Sequence, residues 1–134
     1  MNEQELLDLM AQYREAFVAC DENRLAAVVT TDVEWHMHYH DPRPISPTGM
    51  VIVGVKAMVA EIQRRQSQWR DVRFENLVER AAGDRILQMF SQSGIDELDR
   101  PYDVNVVDIY SVSEGLISKK DTYWKGEWGQ SRNQ

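Results

Sequence analysis

Apolar residues recur at helical spacing in the first half of the chain and at every second position in the last. In EQELLDLMAQYREAFVA, residues 3–19, Leu6, Met10, Tyr13 and Phe17 fall three or four apart, which predicts a helix with Tyr13 on its buried stripe. Asp21 reads as the cap of a short second helix, ENRLAAVVT, whose Leu25, Val28 and Val29 form the apolar side. A third helix is predicted over GVKAMVAEIQRRQSQW, residues 54–69, with Val55, Met58, Val59, Ile62 and Trp69 on one face.

After residue 70 the period changes to two. VRFENLVER, RILQMFSQSGID, YDVNVVDIYSV and GLISKKDTYW are β-branched or aromatic-rich runs joined by the short connections AAGD, ELDRP and SEG. They predict a four-stranded antiparallel meander, to which DVEWHMHY, residues 32–39, adds a strand. Helices followed by such strands give an α+β fold, with the three helices of the N-terminal half packed on one face of a mostly antiparallel sheet. DPRPISPTG, residues 41–49, reads as a loop whose composition suits a lid.

With 134 residues, the chain is expected to form a single domain over 1–134. No stretch approaches the ~20 consecutive apolar residues of a membrane helix, so no membrane partner is expected. The start of the chain has neither a basic segment nor a cleavable apolar one, which makes the cytoplasm the expected compartment. The net charge of −7 is scattered, with only KKDTYWK locally basic, so nucleic acid is not an expected partner. The single cysteine, Cys20, reads as a small buried hydrophobe.

The candidate chemistry begins at TDVEWHMHYHD, residues 31–41. On a strand, alternate side chains point to the same side, so His36, His38 and His40 share one face while Trp35, Met37 and Tyr39 share the other. Three readings stay open: an acid or base in a pocket near neutral pH, solvated side chains, or a metal site. The last takes two ligands from His-x-His and a third from His40, Glu34 or an acid on a neighbouring strand. No metal or other cofactor is assigned. Asp108, amid Val106, Val107, Ile109 and Tyr110, is expected to hold its proton or find a strong partner. Tyr13 is either a core tyrosine or a pocket donor. Asp121 alternates with Ile117, Lys119 and Tyr123, where a lysine salt bridge competes with a catalytic role. Trp124 and Trp128 are candidates for a subunit contact.

The segments AQYREAFVACDENRLAAVVTTDVEW, GVKAMVAEI and NVVDIYSVSEGLISKKDTYW together resemble the nuclear transport factor 2-like superfamily, in particular its steroid isomerases and SnoaL-like polyketide cyclases. The resemblance implies a cone-shaped, curved sheet enclosing a pocket, and a homodimer. It places Tyr13 at the oxyanion-binding tyrosine and Asp108 at the protonated aspartate of the isomerases. The isomerases' general-base aspartate has its place near Met37, so His36 or His38 takes that role. The epoxide hydrolase branch of the superfamily places its acids at Asp96 and Asp121, with Gly94 where it has an arginine. The expected activity is acid/base proton transfer on a carbonyl-containing small apolar substrate, of isomerase, cyclase or dehydratase type. Tyr13, Asp108, His38, His36 and Asp121 are the catalytic candidates, and Trp35, Met37, Phe90, Tyr110 and Asp96 are the substrate-binding ones. The alternatives are a non-catalytic ligand-binding or association domain, and an epoxide-hydrolase-like or metal-dependent activity.

Overall fold

Asn2 starts helix α1 (Glu3–Ala19) with a reciprocal cap: its side chain accepts the Glu5 amide at 2.8 Å and the Glu5 carboxylate accepts the Asn2 amide at 2.9 Å. The computed structural model describes residues 1–39 and 49–129. His40 and residues 41–48, and with them the expected lid, lie outside the described residues. Helix α1 buries Leu6, Leu9, Met10, Tyr13 and Ala16, the stripe that carries the tyrosine inward. Cys20 ends it in the left-handed conformation and is only half-buried, its thiol facing the Val59 carbonyl at 3.7 Å.

Helix α2 (Glu22–Ala26) is capped by Asp21, as expected, but is shorter than its apolar pattern implied. Val29 already belongs to strand β1 (Val29–His38), because the run Val28-Val29-Thr30-Thr31 is β-branched and favours extended backbone. Strand β2 (Met50–Val53) was not foreseen. It precedes helix α3 (Val55–Gln68), which buries Met58, Val59, Glu61 and Ile62. Strands β3 (Arg70–Ala82), β4 (Arg85–Ile95), β5 (Pro101–Ser113) and β6 (Leu116–Trp128) follow as the expected meander.

The six strands form one sheet in the order β2-β1-β6-β5-β4-β3. Four neighbouring pairs are antiparallel and one, β1 with β6, is parallel. The α+β class and the three helices stand, but the cone does not: the sheet is mixed and open, neither strongly curled nor closed. Its hydrogen-bonded ladder ends at β2 on one side and β3 on the other, and these two edges do not pair.

The main core joins Leu6, Met10 and Tyr13 of α1 to Trp35 and Met37 of β1, Met58 and Ile62 of α3, and Tyr110 and Ile117 of the sheet. A second cluster gathers Trp69, Tyr102, Val104 and Val106, with Phe90, Trp124 and Trp128 against it. Strands β5 and β6 approach closely at Gly126, where an added Cβ would lie 2.2 Å from the Asp103 carbonyl oxygen and 2.7 Å from the Val104 Cα. Both are backbone atoms of the paired strand and cannot swing aside. Gly126→Ala is therefore expected to lower the unfolding free energy by at least about 2 kcal/mol in urea denaturation.

Candidate functional site

A cavity of about 590 Å³ lies between α1, α3 and the helix-facing side of the sheet. Strand register sets the inward face of the sheet, part of which is the cavity floor. Trp35, Lys120, Tyr110 and Ile86 are paired in one row across β1, β6, β5 and β4. Met37, Thr122, Asp108 and Gln88 form the next row, and Trp124, Val106 and Phe90 the one after. Tyr13 closes the cavity from α1.

Polar groups on this floor form connected chains. The Trp35 indole N–H donates to Thr122 Oγ1 at 2.9 Å, and the Thr122 hydroxyl donates to Asp108 Oδ1 at 2.5 Å. The Tyr110 hydroxyl donates to Gln88 Oε1 at 2.9 Å, and Gln88 Nε2 donates to Glu79 at 2.7 Å. Lys120 Nζ donates to the Tyr13 hydroxyl at 3.3 Å and sits 4.2–5.6 Å from the ring centres of Phe17, Trp35, Tyr13 and Tyr110.

Burial dominates the titration of this group. It raises the Asp108 carboxyl above its ordinary value, against the opposing pull of Lys120, Thr122 and Arg65. It pushes the Lys120 ammonium down to about 8, although the charge of Asp108 favours the protonated form. Tyr13 and Tyr110 are both raised well above the ordinary phenol value, by burial first and then by Asp108. Burial thus raises the acid and lowers the amine toward each other within apolar walls.

Arg65 extends the wall from α3. Its guanidinium lies 4.8, 4.9 and 5.5 Å from the rings of Trp35, Trp69 and Trp124, and it donates to Glu61 at 2.9 Å and the Tyr39 hydroxyl at 2.5 Å. Glu61 is buried, which favours its neutral form, but the hydrogen bonds and charges of Arg64 and Arg65 prevail and hold it below the usual carboxylate value. Trp124, at the end of the cavity wall, stacks on Trp128, Tyr39 and Tyr102 behind it.

Of the residues singled out in the sequence, Tyr13, Asp108, Trp35, Phe90 and Tyr110 meet at this cavity. His36, His38 and Asp121 do not: they share the opposite side of the sheet, and His38 Nε2 lies 2.7 Å from Asp121 Oδ1. Met37 is buried beneath the wall, with Arg65 3.3 Å from its sulfur, and does not line the cavity. Asp96 is held in the β4–β5 turn, where it accepts the Leu98 and Arg100 amides, the Arg100 side chain and the Trp128 indole. Both of its carboxylate oxygens are engaged by these contacts, and Asp96 does not line the cavity.

Lys120, Thr122, Gln88 and Arg65 were not singled out in the sequence. The reason for Lys120 and Asp121 is a β-bulge. Consecutive Ser111 and Val112 on β5 face Lys119 and Ile117 on β6, leaving Ser118 as the extra residue. Alternation counted from the buried Ile117 therefore reverses: Lys120, Thr122 and Trp124 turn inward, and Lys119, Asp121 and Tyr123 turn outward. The i,i+4 spacing of Glu61 and Arg65 on α3 was the available signal for the other missed cation.

A family model described as the SnoaL-like domain matches residues 10–120, most of the chain and all of the cavity residues named above except Thr122 and Trp124. The chain belongs to the SnoaL-like domain family. This places it in the nuclear transport factor 2-like superfamily. No curated protein matches the chain. Among solved structures, this SnoaL-like domain is similar to an NTF2-like protein from Burkholderia xenovorans LB400, with 21% identity, 93% of this chain and 92% of that one covered, and a TM-score of 0.77. It is also similar to an NTF2-like protein from Burkholderia thailandensis E264, with 17% identity, 93% and 92% coverage, and a TM-score of 0.70. A hypothetical protein of ketosteroid isomerase-like fold from Catenulispora acidiphila, in complex with trimethylamine, is 14% identical over 87% of this chain and 85% of that one, with a TM-score of 0.65. At these identities the likeness is one of fold.

The buried lysine of this SnoaL-like domain makes a stability prediction. Its folded pKa of about 8 lies below the ordinary 10.5, so between these values the unfolded chain binds the extra proton and stability rises with pH. Below pH 8 the full cost of holding the ammonium in the cavity is present. Lys120→Met should therefore be more stable than the parent near pH 7, and its advantage should narrow by up to about 3 kcal/mol as pH rises from 8 to 10.5, measured by urea denaturation across that range.

Proposed function

We propose that this SnoaL-like domain is an enzyme that moves a proton on a small, largely apolar carbonyl compound by general acid and base catalysis. The observation that carries the proposal is the convergence of Tyr13, Asp108 and Lys120 on one apolar cavity. In this scheme Asp108, whose carboxyl pKa is raised by burial and which is engaged by Thr122 at Oδ1, acts in its protonated form and donates through its other oxygen. Together with the Tyr13 hydroxyl it stabilises the oxygen of the substrate as negative charge develops there. The amine of Lys120, not a histidine, removes the proton, since His36 and His38 face away from the cavity. Its pKa near 8 leaves a useful fraction unprotonated at neutral pH. The rings of Phe17, Trp35, Phe90 and Tyr110 hold the apolar body of the substrate and exclude water. The ketosteroid isomerase-like fold shared with the Catenulispora protein, which is in complex with trimethylamine, supports no more than a small organic ligand.

Cyclohex-3-enone tests the chemistry, because moving one proton from its α-carbon to its γ-carbon yields the conjugated ketone and a rise in ultraviolet absorbance. The protein is expected to accelerate this conversion, with kcat/KM climbing as pH passes about 8 and Lys120 loses its proton. Asp108→Leu and Lys120→Met should each reduce kcat/KM by at least about 100-fold while the far-ultraviolet spectrum stays unchanged. Full activity in Asp108→Leu overturns the proton-transfer reading. Binding of the ketone without conversion favours a non-catalytic ligand-binding domain.

A further inference from the structure

The histidine strand is left without a role by the cavity, yet its side chains are not scattered. In the parallel pairing of β1 with β6, His36 lies directly opposite Asp121, and His38 lies opposite Tyr123. Both histidines and Asp121 project from the outer side of the sheet, and one ligand atom from each falls within 4.8 Å of the other two. We infer that His36, His38 and Asp121 form a binding site for a divalent first-row transition-metal ion, best matched by zinc, on the side of the sheet opposite the cavity.

The donor set argues for the metal. Two imidazoles and one carboxylate suit a borderline ion such as zinc, whereas magnesium and calcium take oxygen ligands. Tetrahedral bonds of about 2.0–2.2 Å set the donor atoms about 3.3–3.6 Å apart. His38 Nε2 and Asp121 Oδ1 stand at 2.7 Å and the third donor lies within 4.8 Å, on either side of the spacing such a site needs. Without a metal His38 and Asp121 hydrogen-bond to each other, and a bound ion would replace that contact with two coordinate bonds. Three protein ligands leave one tetrahedral position for water or an outside ligand.

The surroundings hold the ligands in place. The Tyr123 ring stacks on the His38 ring at 4.4 Å and 9°, and the His36 and His38 rings are themselves near parallel at 15°. Glu34 meets His36 Nε2 at 2.7 Å, so a carboxylate orients this imidazole, as outer carboxylates do around metal-bound histidines. The site is reachable from solvent: the side chains of His36, His38 and Asp121 are 23%, 37% and 15% exposed. Lys119 opposes the ion, its ammonium lying 3.7 Å from Asp121 Oδ1 as a competing cation.

Tag-free protein, stripped with a chelator and desalted, is titrated with zinc chloride by isothermal calorimetry. One zinc ion per chain is expected, with His36→Ala, His38→Ala and Asp121→Asn each weakening binding by more than about tenfold. Lys119→Met keeps all three ligands and removes the competing charge, so it should bind zinc at least as tightly as the parent. No saturable binding by the parent overturns the inference. So does unchanged affinity in the three ligand variants, which would place the ion elsewhere, or weaker binding in Lys119→Met. Because the cavity lies on the other side of the sheet, the ketone assay reads its chemistry separately from the zinc titration.

Discussion

The parallel pairing of β1 with β6 is the constraint on which both faces of this sheet depend. It sets Trp35 beside Lys120 and Met37 beside Thr122 toward the helices, and His36 beside Asp121 and His38 beside Tyr123 away from them. Side chains on a strand alternate with a period of two, so a slip of one residue would send each group to the wrong side. Parallel neighbours cannot be joined by a tight hairpin. Here the connection between the two strands contains β2, α3 and the whole β3–β5 meander. The pairing therefore ties the first half of the chain to its last strand, and with it Trp35 to the Thr122 and Asp108 hydrogen bonds.

The cavity places costly groups in an apolar setting and offsets the cost in different ways. Arg65 keeps its charge because Glu61 and Tyr39 supply hydrogen-bonding partners and three tryptophan rings face its guanidinium. Lys120 has Asp108 nearby and four aromatic rings around it, but its hydrogen bond is to the neutral Tyr13 hydroxyl. That difference explains why burial moves the lysine toward neutrality while the arginine remains a fixed cation. Asp108 lies between these influences, with Thr122 as its hydrogen-bond donor and two cations at longer range.

The first and third helices were legible in the sequence from their apolar stripes, and the meander from β-rich runs separated by short turn-type connections. The first helix follows its stripe and its cap, and Tyr13 and Asp108 reach the cavity because each sits on a regular element with apolar neighbours. The errors arise where pairing overrides local pattern. Val29 has a helical offset from Leu25 but joins β1, where it pairs with Ile117. The short β2 strand is visible only as Val51-Ile52-Val53, since its status depends on β1 accepting it as a neighbour. The cone was a property of the family resemblance, and no residue pattern specified whether the outer strands would curl and close. His36 and His38 do lie opposite Trp35 and Met37, but alternation alone did not say which side held the cavity.

Ser118 carries the largest single consequence for assigning chemistry in this chain. Without its bulge, alternation from the buried Ile117 would direct Lys119 and Asp121 inward and Lys120 and Thr122 outward. The cavity would then contain an aspartate in place of its threonine and lose the hydroxyl that links Trp35 to Asp108, while the outer side would lose the carboxylate that faces His38. The segment Lys119-Lys120-Asp121-Thr122-Tyr123-Trp124 has no idle position: three side chains complete the cavity and three stand on the outer face, two of them against His38. One extra residue in a ladder thus divides a short run of mixed polarity into two chemically distinct surfaces. The polarity of the run makes sense only once the bulge is known.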